Sequence, residues 1–291
     1  MIFFNKERTV EFRISTKRFK KGIPCVHFLP KIDNDDTKIF IFVNGIGATL
    51  TFGKILNYEF FNNHFLVVYE KMGHGNNENK AKRMPSKYAV ELNDVVNYYR
   101  NMFPSKKIYL LGESWGSSIV IFYLKKFNNV SGAVFWNMPK YVIDVSYKPW
   151  KDRILIGFKM VPTILFGMQT WDKHPGDTSE QLSSNIDFKR FSKISHANAV
   201  GNNLSNIAAW WSMKASWKWL ERHMNSDEYK FIYIQSGEDK LAKQKFIDLL
   251  NSKYHSCPKY KFLSTGYHIL ISEEPANEEL FKIVNDFVKS D

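Results

Sequence analysis

Six short runs rich in β-branched and aromatic residues recur along this chain, and their spacing constrains the fold more than any other feature. They are KIFIFVN (38–44), HFLVVYE (64–70), KIYLLG (107–112), GAVFWN (132–137), YKFIYIQ (229–235) and YKFLS (260–264). Most are separated by helix-like segments, the pattern of a mostly parallel sheet whose strands are apolar on both sides because helices cover both faces. Between the second and third runs, Leu92, Val95, Val96, Tyr99 and Met102 fall at spacings of three and four and share one helical face. Near the end, Leu280, Ile283, Val284 and Phe287 do the same and predict a closing helix. The rhythm breaks between residues 140 and 224. That stretch holds six of the eight tryptophans and is punctuated by Pro149, Pro162, Pro175 and Gly176, which predicts an insertion of short helices. The expected organisation is an α/β core from 1–139 and 225–291, interrupted by a helical insertion over 140–224.

Composition narrows the class of protein. At 291 residues and 44% hydrophobic, the chain buries a large core. No apolar run approaches the roughly 20 residues that span a bilayer, and charged residues interrupt the opening MIFFNKERTVEFRIS too early for a secretory signal, so a cytoplasmic protein is expected. Cys25 and Cys257 have no metal-like spacing and make no disulfide framework, so both are expected as buried free thiols. The net charge of +12 comes from scattered basic residues with no nucleic-acid-binding motif, so no nucleic-acid partner is expected. The same charge suits peripheral contact with an anionic membrane surface. Nothing in the sequence sets an oligomeric state.

The pentapeptide GESWG (112–116) follows the third run directly and precedes the helix-like SSIVIFYLKKF. A Gly-x-Ser-x-Gly at a strand-to-helix turn is a nucleophile elbow: the glycines let the helix fold back on its strand, and Ser114 stands exposed at the helix N-terminus. There the positive end of the helix dipole favours a developing oxyanion. A serine hydroxyl needs a base to become a nucleophile. Of eight histidines, His268 alone follows the last predicted strand on a loop before the final helix, where a base reaches the elbow across the top of such a sheet. The base needs a carboxylate to hold its tautomer. Asp239, just past the strand run 229–235, fills that role, with Glu238 as its competitor. The chain order Ser114, Asp239, His268 is the order of α/β-hydrolases.

An oxyanion site needs two backbone N–H groups. One is expected from Trp115 and the other from Ile46 in VNGIGATL, where Gly45 and Gly47 let the backbone approach a substrate. The glycines of NGIG lack Gly-x-Gly-x-x-Gly spacing and a Walker lysine, so a nucleotide site is not expected. Gly45 and His74, the latter at the expected pocket rim, complete the predicted substrate contacts. No metal or other cofactor is implied.

These motifs together resemble the α/β-hydrolase superfamily, and within it the monoacylglycerol lipase and lysophospholipase branch, the serine aminopeptidase-type hydrolases. NGIG stands where that branch commonly has His-Gly, a small or apolar residue, and Gly, with Asn44 in place of His. EKMGHG resembles Asp-x-Arg-Gly-His-Gly, keeping Gly73, His74 and Gly75 but carrying Glu70 and Met72. GEDKL and HILISEE are similar to the acid motif and the stretch after the base. The resemblance covers 38–137 and 229–289 and implies an α/β-hydrolase fold, a cap at 140–224, and a serine esterase acting on single-chain lipid esters. GESWGSS is also similar to the elbow of proline iminopeptidases, although the chain lacks their His-Gly-Gly-Pro-Gly loop, and of the glutamates such enzymes commonly use to hold a substrate amine 140–224 has only Glu180 and Glu221, in a stretch where basic residues outnumber acidic ones. Acyl transfer and thioester hydrolysis use the same triad and remain open at this point.

Overall fold

The computed structural model describes residues 8–46, 48, 50, 59–80, 82, 84–139 and 203–290. Its centre is an eight-stranded sheet: β1 (Thr9–Ile14), β2 (Ile23–Phe28), β3 (Ile39–Val43), β4 (Phe65–Tyr69), β5 (Ile108–Glu113), β6 (Gly132–Trp136), β7 (Phe231–Ser236) and β8 (Tyr260–Leu263). The spatial order is β1-β2-β4-β3-β5-β6-β7-β8. The β1–β2 and β2–β4 pairs are antiparallel, and every later pair is parallel. All six predicted runs are strands. β1 and β2 were not among them because TVEFRI, the edge strand, is half-exposed and polar, and Pro24 interrupts IPCVHF, which pairs with β1 on one side and β4 on the other.

Residues of β3 through β7 are buried throughout, which is why they read as continuous apolar runs. Alternation along β3 splits the core into two layers. Ile39, Ile41 and Val43 join a layer completed by helices α1 (Pro85–Met102), α2 (Trp115–Lys126) and α3 (Asn203–His223) and by Leu250 and Tyr254 of α4 (Gln244–Tyr254). Phe40 and Phe42 join the opposite layer, which α5 (Ala276–Lys289) covers with Leu280, Phe281, Val284 and Phe287. Helices thus cover both faces, and the fold is that of the α/β-hydrolases. Leu92, Val95, Val96 and Tyr99 of α1 are buried as predicted, but Met102 is 45% exposed because it lies in the final turn, past the end of the packed face.

The described end of the expected insertion differs from the reading of short helices. Residues 203–223 form one 21-residue helix, α3, and Ala208, Ala209, Met213, Trp217, Trp219 and Leu220 on it belong to the main core. Trp217 packs edge-on against Tyr233 and Phe246, and Trp219 packs edge-on against Tyr229 and at a tilt against Phe231. These two tryptophans therefore pack into the main core, and the first described α3 side chain in that core is Ala208. Residues 140–202, the rest of the expected cap, lie outside the described residues. Cys25 and Cys257 are buried free thiols, as expected. Among the described residues no helix is long and apolar enough to cross a membrane.

Candidate active site

Register brings the C-terminal ends of the parallel strands to one edge. Val43 of β3 lies opposite Gly112 of β5, Glu113 of β5 opposite Trp136 of β6, and Ser236 of β7 opposite Leu263 of β8. The segments that follow these strands hold Gly45, Ser114, Asn137, Asp239 and His268. Ligand sites in open α/β sheets form at this edge because the loops there converge above the strands.

Ser114 sits between β5 and α2 at φ 54° and ψ −123°, a conformation costly for a residue with a Cβ and of order 1–3 kcal/mol. Its surroundings enforce it. A Cβ on Gly116 would stand 1.8 Å from the Val43 carbonyl oxygen, and one on Gly112 would stand 2.9 Å from Ser117 Cα, so the turn closes only with glycine at both positions. The Ser114 N–H donates to the Trp136 carbonyl at 3.0 Å, and the Ser117 hydroxyl bonds the carbonyls of Gly112 and Trp136, each at 3.0 Å. Gly45 approaches from β3, where a Cβ would lie 3.2 Å from Ser114 Cβ. The Trp115 N–H is the first amide of α2, where no intrahelical acceptor exists. Ile46 is half-buried in the turn after β3, and Gly47 lies outside the described residues.

His268 and Asp239 meet with both side chains 1% exposed. His268 Nδ1 is 2.9 Å from Asp239 Oδ1, so the ring donates there from its Nδ1–H tautomer and leaves Nε2 as an acceptor. That Nε2 is buried without a hydrogen-bond partner. Burial alone would lower the His268 pKa, but the charge and hydrogen bond of Asp239, helped by Glu113, raise it above the ordinary imidazole value. Glu238 does not touch the ring; its Oε2 accepts the Gly266 N–H at 3.0 Å and anchors the same loop.

Asn137, which sequence reasoning treated only as the end of a strand, connects these parts. Its Nδ2 donates to the carbonyls of Tyr267 at 3.1 Å and His268 at 2.9 Å. Its Oδ1 accepts from the Ser236 N–H at 2.9 Å and the Ser236 hydroxyl at 3.1 Å. One buried amide thereby ties the end of β6 to β7 and to the histidine loop. The signal was available in its position: a polar residue directly after an apolar strand at the edge where the serine stands.

His74 departs from its expected place at the rim. It is 2% exposed, and its ring stacks on the Trp115 indole at 5.8 Å between centroids. Burial, with the charge of Lys71, lowers its pKa to about 3 and keeps it neutral. Trp115 is fully buried as well, with Nε1 bonded to the Ser212 hydroxyl of α3 at 3.1 Å and Tyr88 edge-on to its ring. The tryptophan after the serine therefore packs the elbow against α1 and α3.

Beneath the elbow lies a group of buried charges that the sequence did not announce. Glu70, expected as the substitute for an aspartate, accepts the N–H groups of Asn76 at 2.7 Å and Leu50 at 3.2 Å and so shapes the loop after β4. Glu91 of α1 accepts the Met72 N–H at 2.9 Å and the Asn77 side chain at 3.0 Å. Glu113, directly before Ser114, is fully buried with neither oxygen hydrogen-bonded. Burial raises its pKa to about 7, against the charges of His268 and Lys71. Among the described residues no group of three His, Cys, Asp or Glu side chains is placed to hold a metal.

A family model described as serine aminopeptidase, S33, matches residues 34–275. Solved structures agree in fold. A monoglyceride lipase from Saccharomyces cerevisiae, in complex with a substrate analogue, superposes with a TM-score of 0.70 at 12% identity, covering 92% of each chain. A thermostable carboxyl esterase from Bacillus coagulans superposes at 0.64 and 16% identity, covering 97% of this chain and 98% of its own. A monoacylglycerol lipase from Paleococcus ferrophilus superposes at 0.64 and 15% identity, covering 92% and 99%. No curated protein matches the chain by sequence.

Proposed function

The chain belongs to the serine aminopeptidase S33 family of α/β-hydrolases, and on that premise we propose that it is a serine hydrolase cleaving carboxylic esters of single-chain lipids, monoacylglycerols or lysophospholipids. Ser114 attacks the ester carbonyl, and His268 takes its proton through Nε2 and then delivers it to the leaving alcohol. Asp239 holds the imidazole in the reactive tautomer and stabilises the imidazolium. The N–H groups of Ile46 and Trp115 bind the oxyanion. Water, activated by His268, then releases the fatty acid from Ser114.

The observation that carries this reading is the 2.9 Å contact between His268 Nδ1 and Asp239 Oδ1, with a buried and unengaged Nε2 on the loop tied to the serine's edge of the sheet. The serine–histidine bond is commonly long before substrate arrives, so its absence from the resting geometry agrees with the role. Lipid esters are favoured over peptides by sequence. Residues 140–202 carry Trp150, Trp171, Phe158, Phe166, Met160 and Met168, and seven lysines with two arginines outnumber six acids there, a composition suited to an acyl chain and, by its net positive charge, less suited to a substrate amine. The buried packing of Trp115 also gives the iminopeptidase-like elbow a structural reason that needs no such substrate.

The test is kcat/KM for esters from acetyl to dodecanoyl, run beside prolyl amide. At about 0.8 kcal/mol per buried methylene, each added carbon should raise kcat/KM by up to ~4-fold until the pocket fills. A flat or falling series with efficient prolyl amide cleavage replaces this reading with an aminopeptidase. On anionic vesicles, turnover should fall as salt rises, because surface attraction is screened over roughly 8 Å at physiological ionic strength. Short soluble esters should show little change.

A further inference from the structure

Lys71, directly after Glu70, is fully buried. Its ammonium reaches into the loop that follows β3, donating to the Asn44 carbonyl at 3.0 Å, the Gly45 carbonyl at 3.0 Å and the Asn44 side-chain oxygen. An ammonium has three protons, and all three are engaged. Two consecutive backbone carbonyls of one loop are thereby held toward the protein interior by a single side chain.

We propose that Lys71 is a positioning residue that builds the oxyanion site by fixing the orientation of the Gly45–Ile46 peptide. The proposal rests on the ester-hydrolase reading above. A trans peptide is planar, and its C=O and N–H point in opposite directions. With the Gly45 oxygen held by Lys71, the Ile46 N–H is turned the opposite way, out of the interior. Gly45 itself abuts Ser114, at 3.2 Å from a virtual Cβ to Ser114 Cβ, so the Ile46 amide follows immediately on the residue touching the serine. No described residue accepts a hydrogen bond from the Ile46 N–H, which leaves it for a ligand.

The geometry, three oxygen acceptors around one nitrogen, matches an ammonium. Burial lowers the Lys71 pKa to about 7 even with the opposing charges of Glu91, Glu70 and Glu113. Glu91 of α1, Glu70 at the end of β4 and Glu113 at the end of β5 thus surround the lysine, with neutral His74 in the same loop. A cation on the carbonyl side of the peptide also strengthens the peptide's N–H as a donor to a developing negative charge. A neutral amine would lose one of the three bonds, and the loop would lose part of its hold.

The test compares Lys71→Met and Lys71→Gln with the wild type, using a short soluble ester and octylboronic acid, which forms a tetrahedral adduct with a nucleophilic serine. An oxyanion donor acts in the transition state more than in the ground state. Lys71→Met should therefore lower kcat by roughly 10²-fold with KM little changed, the order of losing one oxyanion donor. Boronate affinity should fall by a similar factor, and Lys71→Gln, which keeps a donor, should recover part of both. A purely structural role predicts instead a lower melting temperature with unchanged boronate affinity in the folded fraction, or a loss confined to KM, and either result overturns the proposal. If neither variant folds, the wild type carries the test. The titration of its ¹⁵N-labelled Lys71 ammonium should move to higher pH when the boronate binds, and an unmoved titration rejects the assignment. Ser114→Ala separates the two levels: turnover retained there removes the hydrolase reading, whereas an inert Ser114→Ala beside a Lys71→Met with wild-type boronate affinity removes only the role of Lys71.

Discussion

Asn137→Ala should cost both stability and turnover, and the structure sets the scale of each. The substitution removes two donated and three accepted hydrogen bonds. Not every partner is orphaned. The Tyr267 carbonyl keeps the Ser236 hydroxyl at 3.2 Å, and the Gln235 amide keeps the Ser236 carbonyl at 3.1 Å. The His268 carbonyl and the Ser236 N–H lose the partner that Asn137 supplies, each at 2.9 Å. A buried backbone group left unpaired costs about 1–3 kcal/mol, so two give roughly 4 kcal/mol, less whatever a water entering the vacated volume restores. Asn137→Asp is the sharper probe: it keeps an acceptor for Ser236 but sets a second oxygen against two carbonyls at 2.9 and 3.1 Å. Repulsion there should displace the His268 loop while the rest of the fold persists. Urea unfolding monitored by circular dichroism gives the stability change as a shift in midpoint at constant slope, and ester hydrolysis gives kcat. Asn137→Asp should lose more in kcat per unit of lost stability than Asn137→Ala. If both variants unfold within about 1 kcal/mol of the wild type and keep its kcat, the amide does not tie the base to the sheet and the reasoning fails.

Asp239→Asn should lower kcat by about 10⁴-fold by leaving the imidazole in the wrong tautomer, whereas Glu238→Gln should change it little because a glutamine oxygen still accepts the Gly266 N–H. Steady-state kinetics on one ester decide the ranking, and the reverse order moves the acid to Glu238. The pH profile follows from the sign of the His268 shift. His268 is a base only when neutral and its pKa is raised, so kcat/KM should rise with pH along a limb whose midpoint lies above the ordinary value near 6.5. In Asp239→Asn the burial effect loses its main opponent, and the residual activity should titrate at lower pH; a midpoint that stays in place denies the Asp239 contribution.

The parallel strands were legible because burial on both faces forces unbroken runs of apolar residues, and the elbow because its glycines are required sterically. Gly116 faces the Val43 carbonyl so closely that no other residue fits. Asp239 was distinguishable from Glu238 only as a guess about reach, which the 2.9 Å contact to His268 replaces with geometry. The antiparallel pair escaped notice because half-exposed β1 mixes polar and apolar residues without a strict period, and Pro24 breaks the reading of buried β2. Trp217 and Trp219 were grouped with the insertion for a different reason. Composition marks aromatic density but does not say which wall it faces, and Trp217 and Trp219 face the sheet. Lys71 and Glu113 were invisible as buried groups, since lysine and glutamate flanking a strand end read as solvent-facing until three-dimensional packing encloses them.

The central claim is that Ser114 is a nucleophile activated by His268, and covalent labelling tests it most directly. The wild-type chain is treated with a fluorophosphonate, digested, and the modified residue located by mass spectrometry, beside Ser114→Ala and His268→Ala. The account predicts one adduct on Ser114, none on Ser114→Ala, a much slower reaction in His268→Ala, and ester turnover that disappears in step with labelling. A wild-type chain that takes up no probe, a label on another residue, or a Ser114→Ala variant that still hydrolyses esters would contradict it.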